Sequence, residues 1–124
     1  MTQTLFTLVP RCWYAVELIG DEFGDALRSY SPVRVDAVTP LGTGVGEMSV
    51  DFFHANYPEG VQQKSYRIQV VERQTRYLLA RGLDHTPARL LLIFEPTREW
   101  LKQHLGLEAP EPGDIQSFME DRCR

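Results

Sequence analysis

The side chains able to do chemistry in this 124-residue chain are few and widely spaced. Three histidines (His54, His85, His104), two cysteines (Cys12, Cys123) and carboxylates such as Asp51 and Asp84 are the potential metal ligands. None of them forms a C-x-x-C or H-E-x-x-H pattern, the spacings that bring ligands to one side of a tight turn or helix. Asp51 and His54 stand three apart in a run that reads as a strand, which sends their side chains to opposite faces. Nucleophilic catalysis finds no better footing. There is no G-x-S-x-G elbow, and Cys12 beside Trp13 reads as a small buried hydrophobe. Gly42, Gly44 and Gly46 lie between two strand-like runs without the lysine and following helix that a phosphate loop requires, so they read as a hairpin connection. The expectation is a non-catalytic protein with no metal and no cofactor.

One group of side chains suggests a use. Arg67, Arg73, Arg76 and Arg81 stand close in sequence with Tyr66 and Tyr77, and Arg89 follows on the next segment. Residues 1–60 carry three basic against eight acidic side chains, whereas residues 61–100 carry seven against four. An arginine-rich face can sit in water paired with acids such as Asp36, Asp51 or Glu47, can meet the carboxylates of a protein partner, or can hold single-stranded nucleic acid with tyrosines stacking on bases. A sequence pI near 5.3 weighs against nucleic acid. Phe52 and Phe53 are adjacent, so a strand must point them to opposite faces, and Phe53 needs cover from Trp100, Leu101 and Leu105 or from a second copy in a homodimer.

These residues must be positioned by extended chain. Met48, Val50 and Phe52 alternate with Ser49, Asp51 and Phe53, and Tyr66, Ile68 and Val70 with Arg67, Gln69 and Val71. Asn56, Pro58 and Gly60 supply a turn between the two runs. A third run, Thr75 to Arg81, follows after three residues and completes an antiparallel meander. Leu5 to Val9 reads as a short strand stopped by Pro10. Trp13 to Ile19 is apolar on both faces and so is covered on both sides; Val33 to Val38 is a β-branched strand. Gly20 to Asp25 reads as a loop tightening into a helical turn through Ala26 and Leu27, and Ser29 to Pro32 ends it. Gly82 to Pro87 marks a further turn, and Ala88 to Phe94 a buried strand.

The period changes after Pro96. Thr97 is placed to cap a helix over Arg98 to Leu105, and Gly106 to stop it. Residues 108–113 should be extended, and Asp114 starts a second helix with Ile115, Phe118 and Met119 inward and residues 120–122 wet. Strands before helices, joined by hairpin-length connections, give a mainly β, α+β class: a small antiparallel barrel or strongly curved sheet of five to seven strands with one or two C-terminal helices. One domain over residues 1–107 is followed by a proline-rich connection and terminal helix over 108–124.

Hydrophobic and charged contents of 43% and 24% are those of an ordinary globular protein, and no apolar run approaches the roughly 20 residues that span a bilayer. With no secretory leader in Met1 to Pro10 and only two cysteines, the expectation is a cytoplasmic protein with free thiols. The favoured reading is a protein-binding or assembly module docking on a larger partner through the basic meander. The alternatives are a single-stranded nucleic-acid-binding barrel, and a small-ligand-binding barrel or enzyme with an interior pocket containing Glu17, His54 or Tyr66.

Overall fold

The structure, a computed structural model, describes residues 4–21, 29–42, 46–54, 63–84, 86–111 and 113–122. Six strands run in chain order: β1 (Trp13–Asp21), β2 (Ser29–Pro40), β3 (Glu47–His54), β4 (Gln63–Arg73), β5 (Tyr77–Gly82) and β6 (Arg89–Phe94). Each pairs antiparallel with its neighbour, and β6 returns to pair with β1, so the sheet closes into a ring without free edges. Two helices follow, α1 (Arg98–Leu105) and α2 (Ile115–Arg122). This is the mainly antiparallel β architecture with C-terminal helices that the alternation implies.

Period-two alternation fills two cores. Tyr14, Val33, Val35, Val50, Phe52, Ile68, Leu78, Ala80 and Ile93 point into the ring and are almost fully buried. The opposite parity of β1 supplies Trp13 and Ala15 to a second, outer cluster with Trp100, Leu101 and Met119 of the helices. The two-sided apolarity of Trp13 to Ile19 thus has its cause in helices packed on the outside of the ring.

Three irregularities correct the simple alternation. The register shifts in β1 between Leu18 and Gly20, in β2 between Val35 and Ala37, and in β4 between Val70 and Val71's successor Glu72. Each extra residue kinks its strand and deepens the local twist, the means by which a small sheet curls shut. The bulge at Asp36 reverses the face assignment beyond it: Val38, which unbroken alternation would put on the face of Arg34, packs on the interior core. β2 is also longer than expected, because Ser29 to Pro32 belongs to it and does not end a loop.

The N-terminal segment departs most from its reading. Residues 4–9 form no ladder. Phe6 instead plugs one end of the ring, 7% exposed, edge-on to Tyr14 at 5.6 Å between ring centroids. Its backbone N–H donates to the Gln74 carbonyl at 2.8 Å, its carbonyl accepts from Arg73 Nη1, and Val9 N–H donates to Tyr14 Oη at 2.8 Å. Pro10 and Arg11 then turn the chain: Cys12 N–H reaches the Val9 carbonyl with Arg11 at φ 75°, the left-handed residue of a type II turn. Cys12 therefore precedes β1 and carries a free thiol; Cys123 lies outside the described residues.

Both helix boundaries fall where the sequence placed them. Thr97 Oγ1 accepts from Trp100 N–H at 3.1 Å, and Gly106 at φ 67° donates to the Leu101 and Lys102 carbonyls. Arg98 donates to the Pro110 and Gly113 carbonyls, which folds the proline-rich connection back along α1. α2 then docks on β1. The Gln116 side-chain amide accepts from Trp13 N–H at 2.6 Å and donates to the Trp13 carbonyl at 2.8 Å, standing in for a strand neighbour beyond the end of β6. Glu120, expected in water, accepts from Trp13 Nε1 at 2.8 Å. The acidic loop and helical turn expected through residue 27 lie mostly on residues 22–28, and the Asn56–Gly60 turn on 55–62, outside the described residues; Gly20 and Asp21 themselves belong to β1. Among the described residues no helix is long and apolar enough to cross a membrane.

Candidate functional site: a pocket inside one end of the ring

Phe6 fills one end of the ring; at the other the described residues leave a cavity. A cavity of about 160 Å³ lies there, walled by inward side chains of all six strands: Val16 and Leu18 of β1, Ser31 and Val33 of β2, Phe52 and His54 of β3, Tyr66 of β4, Gly82 of β5, and Arg89 and Leu91 of β6. Register explains the convergence. Val16 is opposite Ser31 and Ile93, Leu18 is opposite Leu91, Val33 is opposite His54, and Gly82 is opposite both Ile68 and Arg89, so each belongs to an inward-facing pair.

Polar groups come to the chamber from four strands: Ser31 of β2, His54 of β3, Tyr66 of β4 and Arg89 of β6. Phe52, His54 and Tyr66 form an aromatic trio, with centroids 6.2 Å apart for Phe52 and His54, 6.1 Å for His54 and Tyr66, and 5.7 Å for Phe52 and Tyr66. Burial lowers the His54 pKa below the usual imidazole value, and the nearby Lys64 charge lowers it further, so the ring is neutral at pH 7. A neutral imidazole carries one donor and one acceptor. Arg89 is the one exposed residue of the wall and stands at its rim, bringing the only formal charge among the described lining residues at pH 7. Gly82 leaves the wall open beside it: a Cβ built there meets only the Arg89 carbonyl, at 3.7 Å.

The basic face expected on the meander is dispersed. Arg67 is outward and 60% exposed, but its Nε donates to Asp84 at 2.8 Å and its backbone N–H to the same carboxylate. Arg73 follows the β4 bulge and turns to the Phe6 carbonyl at the plugged end. Arg81 is outward and donates to Gln69 at 3.3 Å. Arg76 lies in the β4–β5 connection, exposed. Tyr66 points into the ring while Tyr77 lies on its outside, so the two tyrosines share no face with each other. Phe53 packs on the outer cluster, edge-on to Trp13 at 6.1 Å, with the Arg34 guanidinium 4.7 Å over its ring. Its cover comes from within the chain. Arg34 in turn pairs with Asp36 at 2.7 Å and Glu120 at 3.6 Å.

Of the three residues named from sequence for an interior pocket, His54 and Tyr66 reach it. Glu17 does not, because it shares the parity of Trp13 and Ala15; on the outside it accepts from Trp100 Nε1 at 3.1 Å. Asp51 and His54 take opposite faces as expected, Asp51 bonding Ser65 on the outside. Among the described residues no three His, Cys, Asp or Glu side chains cluster as a metal site would require.

A second concavity lies outside the ring, where α1 leaves part of the sheet bare. Its floor is Ile19, Leu79, Leu92 and Phe94, and its rim includes Glu17, Glu72, Glu95, Arg76 and Tyr77. Comparison with protein-family models, with curated proteins and with solved structures found no match to this chain.

Proposed function

We propose that this protein is a small-ligand-binding barrel of the cytoplasm, with its site in the hollow end of the ring. The observation that carries this reading is the 160 Å³ chamber to which all six strands contribute. A ring of this strand number normally fills its own interior with side chains, and here one end is filled by Phe6 while the other keeps space beside hydrogen-bonding groups. His54, Tyr66 and Arg89 give orientation; Val16, Leu18, Val33 and Leu91 give an apolar enclosure. Ser31, His54 and Tyr66 bring a hydroxyl, an imidazole and a phenol to the wall as hydrogen-bonding groups, and we read the chamber as a binding site. The test uses Gly82→Val, whose added methyls project into the chamber. A fragment library screened by saturation-transfer NMR should give hits with the wild type that vanish in Gly82→Val. No hits with the wild type, or hits unchanged in the variant, would contradict the reading.

A protein-docking role is the second reading, and the outer groove supports it better than the dispersed arginines do. Ile19, Leu79 and Leu92 form an apolar floor bordered by three carboxylates and one arginine. That rim suits an amphipathic segment with basic flanks. Leu79→Glu should abolish partner capture while leaving fragment binding unchanged; capture that survives the substitution removes this reading.

A further inference from the structure

The chamber's size, lining and charge together specify a class of ligand, an inference that rests on the ligand-binding reading above. We propose that it takes a small monocarboxylate with a compact apolar body, the carboxylate on Arg89 at the rim and the body between Leu18, Val33 and Leu91.

Size sets the first limit. Apolar cavities of roughly 150 Å³ hold one benzene ring, so the enclosed part of a ligand in a chamber of about 160 Å³ is a single ring or a short branched chain. Lining sets the second. Val33 and Phe52 are almost fully buried, and Leu18 and Leu91 face each other across the β1–β6 pair, so the enclosed part of the ligand meets mainly hydrocarbon, with Ser31, His54 and Tyr66 as the polar exceptions inside the rim. A second charge or a string of hydroxyls would be stranded there.

Charge sets the third. Arg89 provides the only charged lining group among the described residues, and Lys64 adds a second positive charge close enough to act on His54. Among the described residues no carboxylate lies on the chamber wall, and none forms an ion pair with Arg89; its ladder partner Asp21 lies outside the lining set. Asp21, 8% exposed, shares the face of Arg89 across the β1–β6 ladder, so the preference for an anion rests on the lining itself, where the one formal charge among the described residues is that of Arg89. A guanidinium presents a planar fork that matches two carboxylate oxygens. Gly82, directly across the ladder from Arg89, has no side chain to obstruct the approach. Tyr66 of β4 and His54 of β3 add hydrogen-bonding groups elsewhere around the ring.

The probes are benzoate, benzyl alcohol and benzylammonium, which share a ring and differ in charge. Each is titrated by calorimetry into the full chain as wild type, Arg89→Gln and Gly82→Val, with circular dichroism confirming the same sheet spectrum and Gly82→Ala held as a milder filling variant. Benzoate should bind the wild type at least about tenfold more tightly than benzyl alcohol, and benzylammonium should not bind. Arg89→Gln should bring benzoate down to the level of benzyl alcohol without changing the latter. Benzoate binding that ignores Arg89→Gln, or equal affinity for the alcohol, overturns the carboxylate assignment and leaves the chamber as an apolar site. Failure of every probe to bind the wild type, or binding that survives both Gly82 variants, overturns the chamber itself.

Discussion

Truncating Phe6 to alanine tests how the ring is closed off at its far end. Phe6 is 7% exposed, packs edge-on to Tyr14 and lies with Leu78 and Ile93 in the interior core, while its neighbours Leu5 and Val9 are 49% and 48% exposed. Removing a buried phenylalanine ring costs about 3–5 kcal/mol. The plug sits on irregular chain that can sag into the space left behind, so the lower end of that range, about 3 kcal/mol, is expected. The backbone bonds to Gln74 and Arg73 survive the substitution and hold the segment in place. With a urea m-value near 2 kcal/mol/M, the unfolding midpoint should fall by about 1.5 M. Leu5→Ala and Val9→Ala are the controls and should stay within about 0.5 kcal/mol of the wild type. A Phe6→Ala loss below about 1 kcal/mol, or a Leu5→Ala loss matching it, would refute the plug and restore residues 5–9 to the edge strand that their composition suggests.

Other perturbations have definite outcomes. Thr97→Ala removes the cap on α1 and Gly106→Ala forces an alanine to φ 67°; each should cost about 1 kcal/mol by urea titration. Gln116→Ala deletes both bonds from α2 to the Trp13 backbone, so amide exchange should quicken across residues 115–122 and stay unchanged in β3 and β4; uniform quickening would show that α2 is not a separate cooperative layer. His54 titrates below its unfolded value, so the unfolded chain gains a proton first as the pH falls. Stability from this group is therefore complete above about pH 6.5 and declines below it, until the lowered native pKa is reached. His54→Gln should flatten that part of the stability–pH curve, and a slope unchanged by the substitution would place the ring in water.

Period-two patterning made the meander legible because Tyr66, Ile68 and Val70 must share a face wherever the strand is regular. The helix ends were equally plain, since Thr97 and Gly106 have local chemistry that tertiary context does not override. What the pattern hides is the bulge. At Asp36 and Val71 nothing in the residue type announces an extra residue, yet each reverses the faces beyond it and sends Val38 inward and Arg73 to Phe6. Ring closure is hidden for another reason: the pairing of β1 with β6 joins residues 68 to 79 positions apart, and a strand apolar on both faces is equally consistent with the centre of an open sheet. The pocket was half visible. His54 on β3 and Tyr66 on β4 are polar residues of inward parity, as is Lys64, and Glu17 could have been set aside by the same parity. Gly82 and Arg89 carried no such signal, because their importance depends on the ladder that places them opposite one another.

Adjacent leucines of β6 face opposite ways, Leu91 into the interior cavity and Leu92 onto the outer groove. Methyl-resolved NMR of the wild type titrated with benzoate reads both at once. The expected result is saturable shifts at Leu91, Leu18 and Val33, with Leu92 and Leu79 unmoved. Shifts confined to Leu92 and Leu79, or none at Leu91 at saturating benzoate, would contradict it.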